Sequence, residues 1–228
     1  FAFGHTGSDV NTRNLVNNSG VVASDATGAG TARRQSAAAG YGGDKAIFGY
    51  GYNGSNLSVS NLVNNSGVVA ADVTGVGTAR RQLAAVSYGG DKAIFSHGST
   101  HVSNLVSNLG VVASDVAGVG TDRYGLAAAS YDGDKAILGY GYAGGNVSLT
   151  NLISNSGVVA ADVTGVGTAR AYLSAVGYGG DKGMFAYGEV IGNVSLKNLV
   201  SNSGVVAADV TGVGTARREL AAAGFSLN

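Results

Sequence analysis

The stretch Tyr41–Gly51 reads YGGDKAIFGYG, and versions of its first eight residues return three more times along the chain. The later copies are YGGDKAIF from Tyr88, YDGDKAIL from Tyr131 and YGGDKGMF from Tyr178, at spacings of 47, 43 and 47 residues. Two further landmarks keep the same periods. They are the GTAR-type motif, from Gly30, Gly77, Gly120, Gly167 and Gly214, and the Asn-Leu pair, from Asn14, Asn61, Asn104, Asn151 and Asn198. A shared period indicates a tandem repeat, so residues 1–228 are predicted to be a single domain of five units.

Each unit is predicted to contain four short strands. In the copy after Arg80 the predicted strands are Leu83–Tyr88, Lys92–His97, Val102–Val106 and Val111–Val116, separated by turns rich in Gly, Asn, Asp and Ser. No amphipathic helix of useful length is present. Four strands in a repeat of 40 to 50 residues are typical of a propeller blade. The predicted fold class is therefore all-β, a five-bladed β-propeller of four-stranded blades.

The two ends of the sequence are predicted to complete one blade. Phe1 aligns with Phe48 in the second strand, whereas Leu220–Phe225 aligns with a first strand. Pairing of Leu220–Phe225 with Phe1–Gly4 would close the ring and remove two exposed sheet edges. The alternative is an open solenoid cut from a longer protein.

The unit resembles a kelch repeat. The segment TARAYLSAVGYGGDKGMFAYG from Thr168 follows the kelch progression of an Arg, a small-residue inner strand, a tight turn and a hydrophobic second strand. NVSLKNLVSNSGVVAAD from Asn193 corresponds to the outer two strands. The unit departs from kelch in having no Trp and no Gly doublet after the second strand. YGGDKAIFGYG and NLVSNSGVVAADVTGVGTAR are also similar to repeats in tail-fibre-like proteins of marine phages, which implies an extracellular or virion location.

The composition argues against several classes of partner. With 14 basic and 14 acidic residues the net charge is zero, so no electrostatic case exists for nucleic acid. No apolar run approaches the roughly 20 residues of a spanning helix, and membrane insertion is not expected. GVGT lacks the Lys of a phosphate-binding loop, and one carboxylate per repeat loop is too few for Ca²⁺. No metal and no cofactor are therefore predicted.

Charged and aromatic residues that recur in every unit are predicted to be structural. Each GTAR-type Arg is expected to bridge an Asp of its own or the next unit; the alternative is a ring of catalytic or metal-binding carboxylates. The residues concerned are Arg33, Arg80, Arg123, Arg170 and Arg217 with Asp25, Asp72, Asp115, Asp162 and Asp209. Aromatic positions are expected to fill the core between blades. These are Tyr41, Tyr88, Tyr131, Tyr178 and Phe225, and Phe1, Phe48, Phe95 and Phe185 with Leu138.

Function is expected where the copies diverge, because rigid scaffolds carry binding residues on loops. Two segments diverge, the loop after the second strand and the position after the GTAR-type motif, and the kelch resemblance implies that both lie on one face. The predicted ligand-binding residues are Tyr52, His97, His101, Tyr142 and Glu189, with Arg34, Arg81 and Arg218. The preferred function is a non-enzymatic binding module for a glycan or cell-surface ligand. The alternative is a purely structural propeller of a virion or filament. Self-association is left open, and no catalytic residues are assigned.

Overall fold

The computed structural model describes residues 1–17 and 19–224, which form an all-β structure without helices. The all-β prediction is confirmed. The strands of the described residues are β1 (Ala2–His5), β2 (Asp9–Arg13), β3 (Ala37–Tyr41), β4 (Lys45–Tyr52), β5 (Asn56–Val63), β6 (Ala84–Tyr88), β7 (Lys92–Ser96), β8 (Ser103–Val106), β9 (Ala127–Tyr131), β10 (Lys135–Gly139), β11 (Thr150–Ile153), β12 (Ser174–Tyr178), β13 (Lys182–Ala186) and β14 (Lys197–Val200). With no helix in these ranges, none is present that could cross a membrane.

The strands form five antiparallel sheets, one for each repeat. Residues 34–80 (unit 1) contain β3-β4-β5, residues 81–123 (unit 2) β6-β7-β8, residues 124–170 (unit 3) β9-β10-β11 and residues 171–217 (unit 4) β12-β13-β14. The sheet β1-β2 has two strands. It belongs to residues 1–33, which we call the N-terminal half of the split unit; residues 218–224 are its C-terminal half.

A three-residue turn makes the inner hairpin of each complete unit, and it reads Gly-Gly-Asp in units 1, 2 and 4 and Asp-Gly-Asp in unit 3. In unit 2, Tyr88 pairs with Lys92 across a three-residue turn. Gly89 and Gly90 adopt φ values of 61° and 80° there. Glycine adopts this left-handed conformation without the steric penalty that a side chain brings. The motif that identified the repeat is therefore a requirement of the turn. The bounds of three of the four strands predicted in this unit agree with those of β6, β7 and β8 to within one residue.

The fourth predicted strand, Val111–Val116, is not a regular strand. It is joined to β8 only by isolated bridges, Ser103 with Val116 and Val106 with Val112, and the register slips by one residue between them. The buried Asn104 lies at the slip, where its side-chain amide donates to the carbonyl of Ala113 at 3.0 Å. A side chain thus replaces a backbone ladder bond, as at a β-bulge.

The four three-stranded sheets contact one another in chain order through their first strands, β3 with β6, β6 with β9 and β9 with β12. Edge-on aromatic pairs join successive sheets: Phe3 with Phe48, Tyr50 with Phe95, and Tyr140 with Phe185. Phe95, Leu138 and Phe185 are fully buried, in keeping with the predicted core. Phe1 is an exception, because 68% of it is exposed, and Phe225 lies outside the described residues.

The predicted pairing of the two termini is not made within the described residues. β1 pairs with β2, and no backbone hydrogen bond joins β1 to residues 220–224. The C-terminal segment lies instead beside β12, where Gly224 approaches the carbonyl of Gly177. Each half of the split unit is therefore attached to a complete unit, and within the described residues no backbone hydrogen bond joins the two halves.

Candidate functional site

A buried polar network joins each unit to the next. Between units 1 and 2, Arg80 donates to the amide oxygen of Asn104 at 2.6 Å, and Asn104 donates to Asp115 at 2.9 Å. Thr78 donates from its hydroxyl to the same carboxylate at 2.7 Å. The Arg80–Asp115 ion pair is looser, at 3.9 Å. The shortest contact of the buried Arg80 guanidinium is therefore with Asn104.

The network recurs at four interfaces, each between one unit and the following one. It joins residues 1–33 to unit 1, unit 1 to unit 2, unit 2 to unit 3, and unit 3 to unit 4. The ion pairs are Arg33–Asp72, Arg80–Asp115, Arg123–Asp162 and Arg170–Asp209. The predicted Arg–Asp bridges thus link neighbouring units.

Burial and hydrogen bonding shift the pKa values of this network in the same direction at all four interfaces. Desolvation lowers the pKa of Arg33 to about 10, partly offset by Asp72. Burial alone would raise the pKa of Asp72, but hydrogen bonds from Thr31 and Asn61 outweigh it and hold that pKa below its usual value. A carboxylate held ionised by donors and a guanidinium is suited to a structural role rather than to proton transfer.

The corresponding residues of the split unit are not assembled in this way. Arg217 lies over the ring of Tyr187, 4.0 Å from its centroid, and is exposed. Asn14 donates to Asp25 at 2.7 Å without an arginine between them. Within the described residues neither Arg217 nor Asp25 forms an ion pair, so the predicted bridge between them is not made.

The two divergent segments of a unit lie side by side. Arg34 and Tyr52 exchange backbone hydrogen bonds of 3.0 and 2.9 Å. Tyr124 pairs with Tyr142 and Ala171 with Glu189 in the same way. The segments that differ most between repeats therefore lie beside each other within these units, and we call the surface residues that they contribute the rim. The rim consists of Arg34, Tyr52, Arg81, Tyr124, Tyr142, Glu189 and Arg218.

One part of the rim is cationic. The guanidinium groups of Arg34 and Arg81 lie 5.0 and 4.3 Å from the centroid of the Tyr52 ring. Arg34 also contacts Asp9 at 2.8 Å and the imidazole of His5 at 3.2 Å. Cation–π contacts of this kind attract the two guanidinium groups to the aromatic ring.

Another part of the rim is aromatic. The Tyr124 ring lies 5.3 Å from the Tyr142 ring and 6.4 Å from the ring of Tyr172, which lies beside the rim. Arg218 forms an ion pair with Glu189. The three tyrosines could offer a ligand both the apolar faces of their rings and the hydrogen-bonding groups of their hydroxyls.

His97 is not on the rim, which corrects its prediction as a ligand-binding residue. It is fully buried, with a left-handed φ of 64°, and its Nδ1 contacts the Ser96 hydroxyl at 2.9 Å. Its Nε2 has no hydrogen-bond partner. Desolvation, together with the charge of Arg123, lowers the pKa of His97 to about 3. His97 occupies the position that Tyr50, Tyr140 and Tyr187 hold in the other complete units.

His101 lies away from the positions that form the rim. It packs against Gly118, and its Nδ1 lies 2.5 Å from the carboxylate of Asp122. The structure therefore places it against the loop that precedes Arg123, rather than beside Tyr52 or Tyr142.

A cavity of about 630 Å³ adjoins the rim and is shared by all five units. Arg34 and His5 belong to its wall. Each unit also contributes one equivalent residue: Gln35, Gln82, Gly125, Tyr172 and Glu219. The backbone N–H of each of the last four donates to the carbonyl of the one before it, at 2.7–3.1 Å. We call this the shared cavity.

Sequence reasoning missed the equivalent residues of the shared cavity. They follow the second divergent position directly and read Gln, Gln, Gly, Tyr and Glu. Their variation was visible in the aligned repeats, but their convergence required the relative placement of the units.

The described residues contain no cluster of three or more His, Cys, Asp or Glu side chains placed to hold a metal ion. No protein-family model matches the chain, and no curated protein shows significant similarity to it.

Proposed function

We propose that this chain is a non-enzymatic binding module for a glycan or another cell-surface ligand, displayed on a phage tail fibre or a secreted protein. The observation that carries the proposal is the shared cavity together with the rim that adjoins it. Positions that differ between repeats meet around it, whereas positions that recur are buried between units. A scaffold that repeats its interior and varies one surface is the arrangement expected of a recognition protein.

The chemistry of this surface suits a sugar ligand. The cavity volume lies within the range of small-molecule sites. Tyr52, Tyr142 and Tyr172 present aromatic surface, and Gln35 and Gln82 carry amides that both donate and accept hydrogen bonds. The carboxylates of Glu189, on the rim, and of Asp9, beside it, are each paired with an arginine, which favours recognition over acid–base catalysis.

A glycan array tests the proposal directly. We expect binding to a restricted set of glycans, and we expect Tyr52→Ala with Tyr142→Ala to weaken it about tenfold through loss of aromatic contact. Leu109→Ala is the matched control, because Leu109 is exposed outside the rim. An array without hits for the unaltered protein would remove the glycan hypothesis.

We also propose that the five units form a closed, five-bladed β-propeller. Three observations support closure. Residues 1–33 are attached to unit 1 through Thr31–Asp72, residues 218–224 are attached to unit 4 through the bond from Glu219 to Tyr172, and both halves line the shared cavity. One further bond, from the Gln35 N–H to the Glu219 carbonyl, would complete the chain of hydrogen bonds around it.

The alternative function is a structural domain of a virion or filament. It is favoured by a row of exposed valines that recurs in every complete unit: Val68, Val111, Val158 and Val205. Exposed apolar residues at equivalent positions are suited to contacts between subunits. Sedimentation of the unaltered protein and of Val111→Asp with Val158→Asp tests this role. Loss of an oligomer in the variant would support it, and a monomer in both would count against it.

A further inference from the structure

Four residues of the shared cavity hold an unfavourable backbone conformation. Gln35, Gln82, Tyr172 and Glu219 have φ values of 53–56°, and Gly125, at the equivalent position of unit 3, has a φ of 62°. Left-handed backbone is disfavoured for residues that carry a Cβ and is ordinary for glycine. Gly125 shows that the fold accepts glycine here, yet four units carry a large polar side chain.

Core packing does not explain these side chains, although the Tyr172 ring also lies against Tyr124. Gln35 and Glu219 are exposed and Gln82 and Tyr172 are half-buried, so none belongs to the buried core. Their backbone groups already bond to one another around the cavity. Strained residues that persist without a packing role are characteristic of ligand sites.

The cavity combines an apolar wall with hydrogen-bonding groups of both kinds. Leu83, Leu126 and Leu173 contribute buried apolar surface to its lining. The glutamine amides and the Tyr172 hydroxyl donate and accept hydrogen bonds, and the Glu219 carboxylate accepts them. A sugar ring has one apolar face and a rim of hydroxyls that donate and accept, and it complements such a lining.

We infer that the shared cavity binds the terminal sugar residue of a glycan, with one ligand per molecule, through Gln35, Gln82, Tyr172 and Glu219. This inference rests on the proposed binding function and specifies its site and stoichiometry. One ligand is expected because five units contribute to a single cavity instead of each forming a pocket of its own.

NMR titration with methyl glycosides of glucose, galactose and N-acetylglucosamine tests the inference. We expect at least one probe to shift the amide resonances of Gln82, Gly125 and Tyr172, with a 1:1 isotherm. In the triple variant Gln35→Gly, Gln82→Gly, Tyr172→Gly, the retained Gly125 amide should no longer shift with the probe, while the melting temperature stays the same or rises because glycine relieves the left-handed strain. A purely structural role would instead lower the melting temperature.

The outcomes separate this inference from the proposed function. If no probe shifts the cavity resonances, or if the triple variant binds as well as the unaltered protein, the inference is wrong. Array binding that is lost in Tyr52→Ala but kept in the triple variant would preserve the binding function and place the ligand on the rim. More than one ligand per molecule would also contradict the inference.

Discussion

The four interfaces between consecutive units differ from the split unit in assembly, although their residues are equivalent. Leu15 packs on Gly67, Leu62 on Gly110, Leu105 on Gly157 and Leu152 on Gly204. The next pair in the series is Leu199 with Gly20. Leu199 is 37% exposed, and no atom lies within 4 Å of the place where a Cβ on Gly20 would stand, so this pair is not in contact. Likewise, Arg217 is exposed and Asn14 is half-buried, whereas their counterparts at the other interfaces are buried.

This comparison shows that a residue's environment here is set by the neighbouring unit and not by its own. Asn104 and Asn14 occupy equivalent places in the repeat, but only Asn104 receives an arginine from the preceding unit. If the ring closes, the fifth interface acquires the same buried network, and substitutions there should become as costly as those elsewhere.

The largest expected effect is on the central asparagine. Asn104→Ala leaves the buried Arg80 without its closest acceptor, and we expect a loss of about 3 kcal/mol or more in the free energy of unfolding. In a closed ring Asn14→Ala should cost a similar amount. Urea denaturation of both variants measures this, and a cost for Asn14→Ala below about 1 kcal/mol would indicate that the split unit stays open.

A smaller effect is expected at the threonine of the network. Thr168 donates to the ionised Asp209 at 2.6 Å, so Thr168→Val should cost about 1.5–3 kcal/mol. Thr215 is its counterpart in the repeat and would reach Asp25 in a closed ring. Thermal unfolding of Thr168→Val and Thr215→Val compares the formed interface with the proposed one, and equal losses are expected.

The smallest effect, and the only stabilising one, is expected at His97. His97→Tyr restores the residue found at Tyr50, Tyr140 and Tyr187, whose hydroxyls donate to the carbonyls of Val76, Val166 and Val213. It also removes the unpartnered Nε2. We expect a gain of about 1 kcal/mol near neutral pH, measured by urea denaturation.

The same variant should alter the pH dependence of stability. The pKa of His97 is about 3 in the folded protein and about 6.5 when unfolded. The unfolded state therefore binds the proton first, and stability is lost as pH falls from about 6.5 towards 3. His97→Tyr should lose less stability than the unaltered protein between about pH 7 and pH 5. An equal loss in both proteins would contradict the buried, neutral imidazole.

The repeat, the all-β class and the inner hairpins could be predicted from the sequence, because each depends on local signals. The Gly-Gly-Asp turn fixes the hairpin of Tyr88 and Lys92, and alternating residues mark the strands around it. The outer strand could not be predicted correctly. Val111–Val116 has the composition of a strand, but the side chain of Asn104 takes a ladder position, and only the register reveals this.

The placement of the candidate site residues could be predicted in part. The divergent segments were correctly expected to share one face, since Arg34 lies beside Tyr52 and Tyr124 beside Tyr142. His97 was wrongly predicted to bind a ligand because it comes just before the four-residue deletion in unit 2 and so resembles a loop residue. Its equivalent in unit 1, Tyr50, is buried in the core, and His97 is buried in the same way. The hydrogen bonds around the shared cavity join residues 43 or 47 positions apart, which local patterns do not encode.

A disulfide between the two termini tests closure most directly. By the register of Ala84 with Ser96 in unit 2, Ala221 should pair with Ala2 in a closed ring. The chain has no cysteine, so Ala2→Cys with Ala221→Cys introduces a single pair, and Ala84→Cys with Ser96→Cys is the matched control. Paired strands bring Cα atoms within the span of a disulfide. We expect both variants to form an intramolecular disulfide under mild oxidation, detected by mass spectrometry after digestion. A disulfide in the control, with free or only intermolecularly bonded thiols in the terminal pair, would contradict the closed propeller.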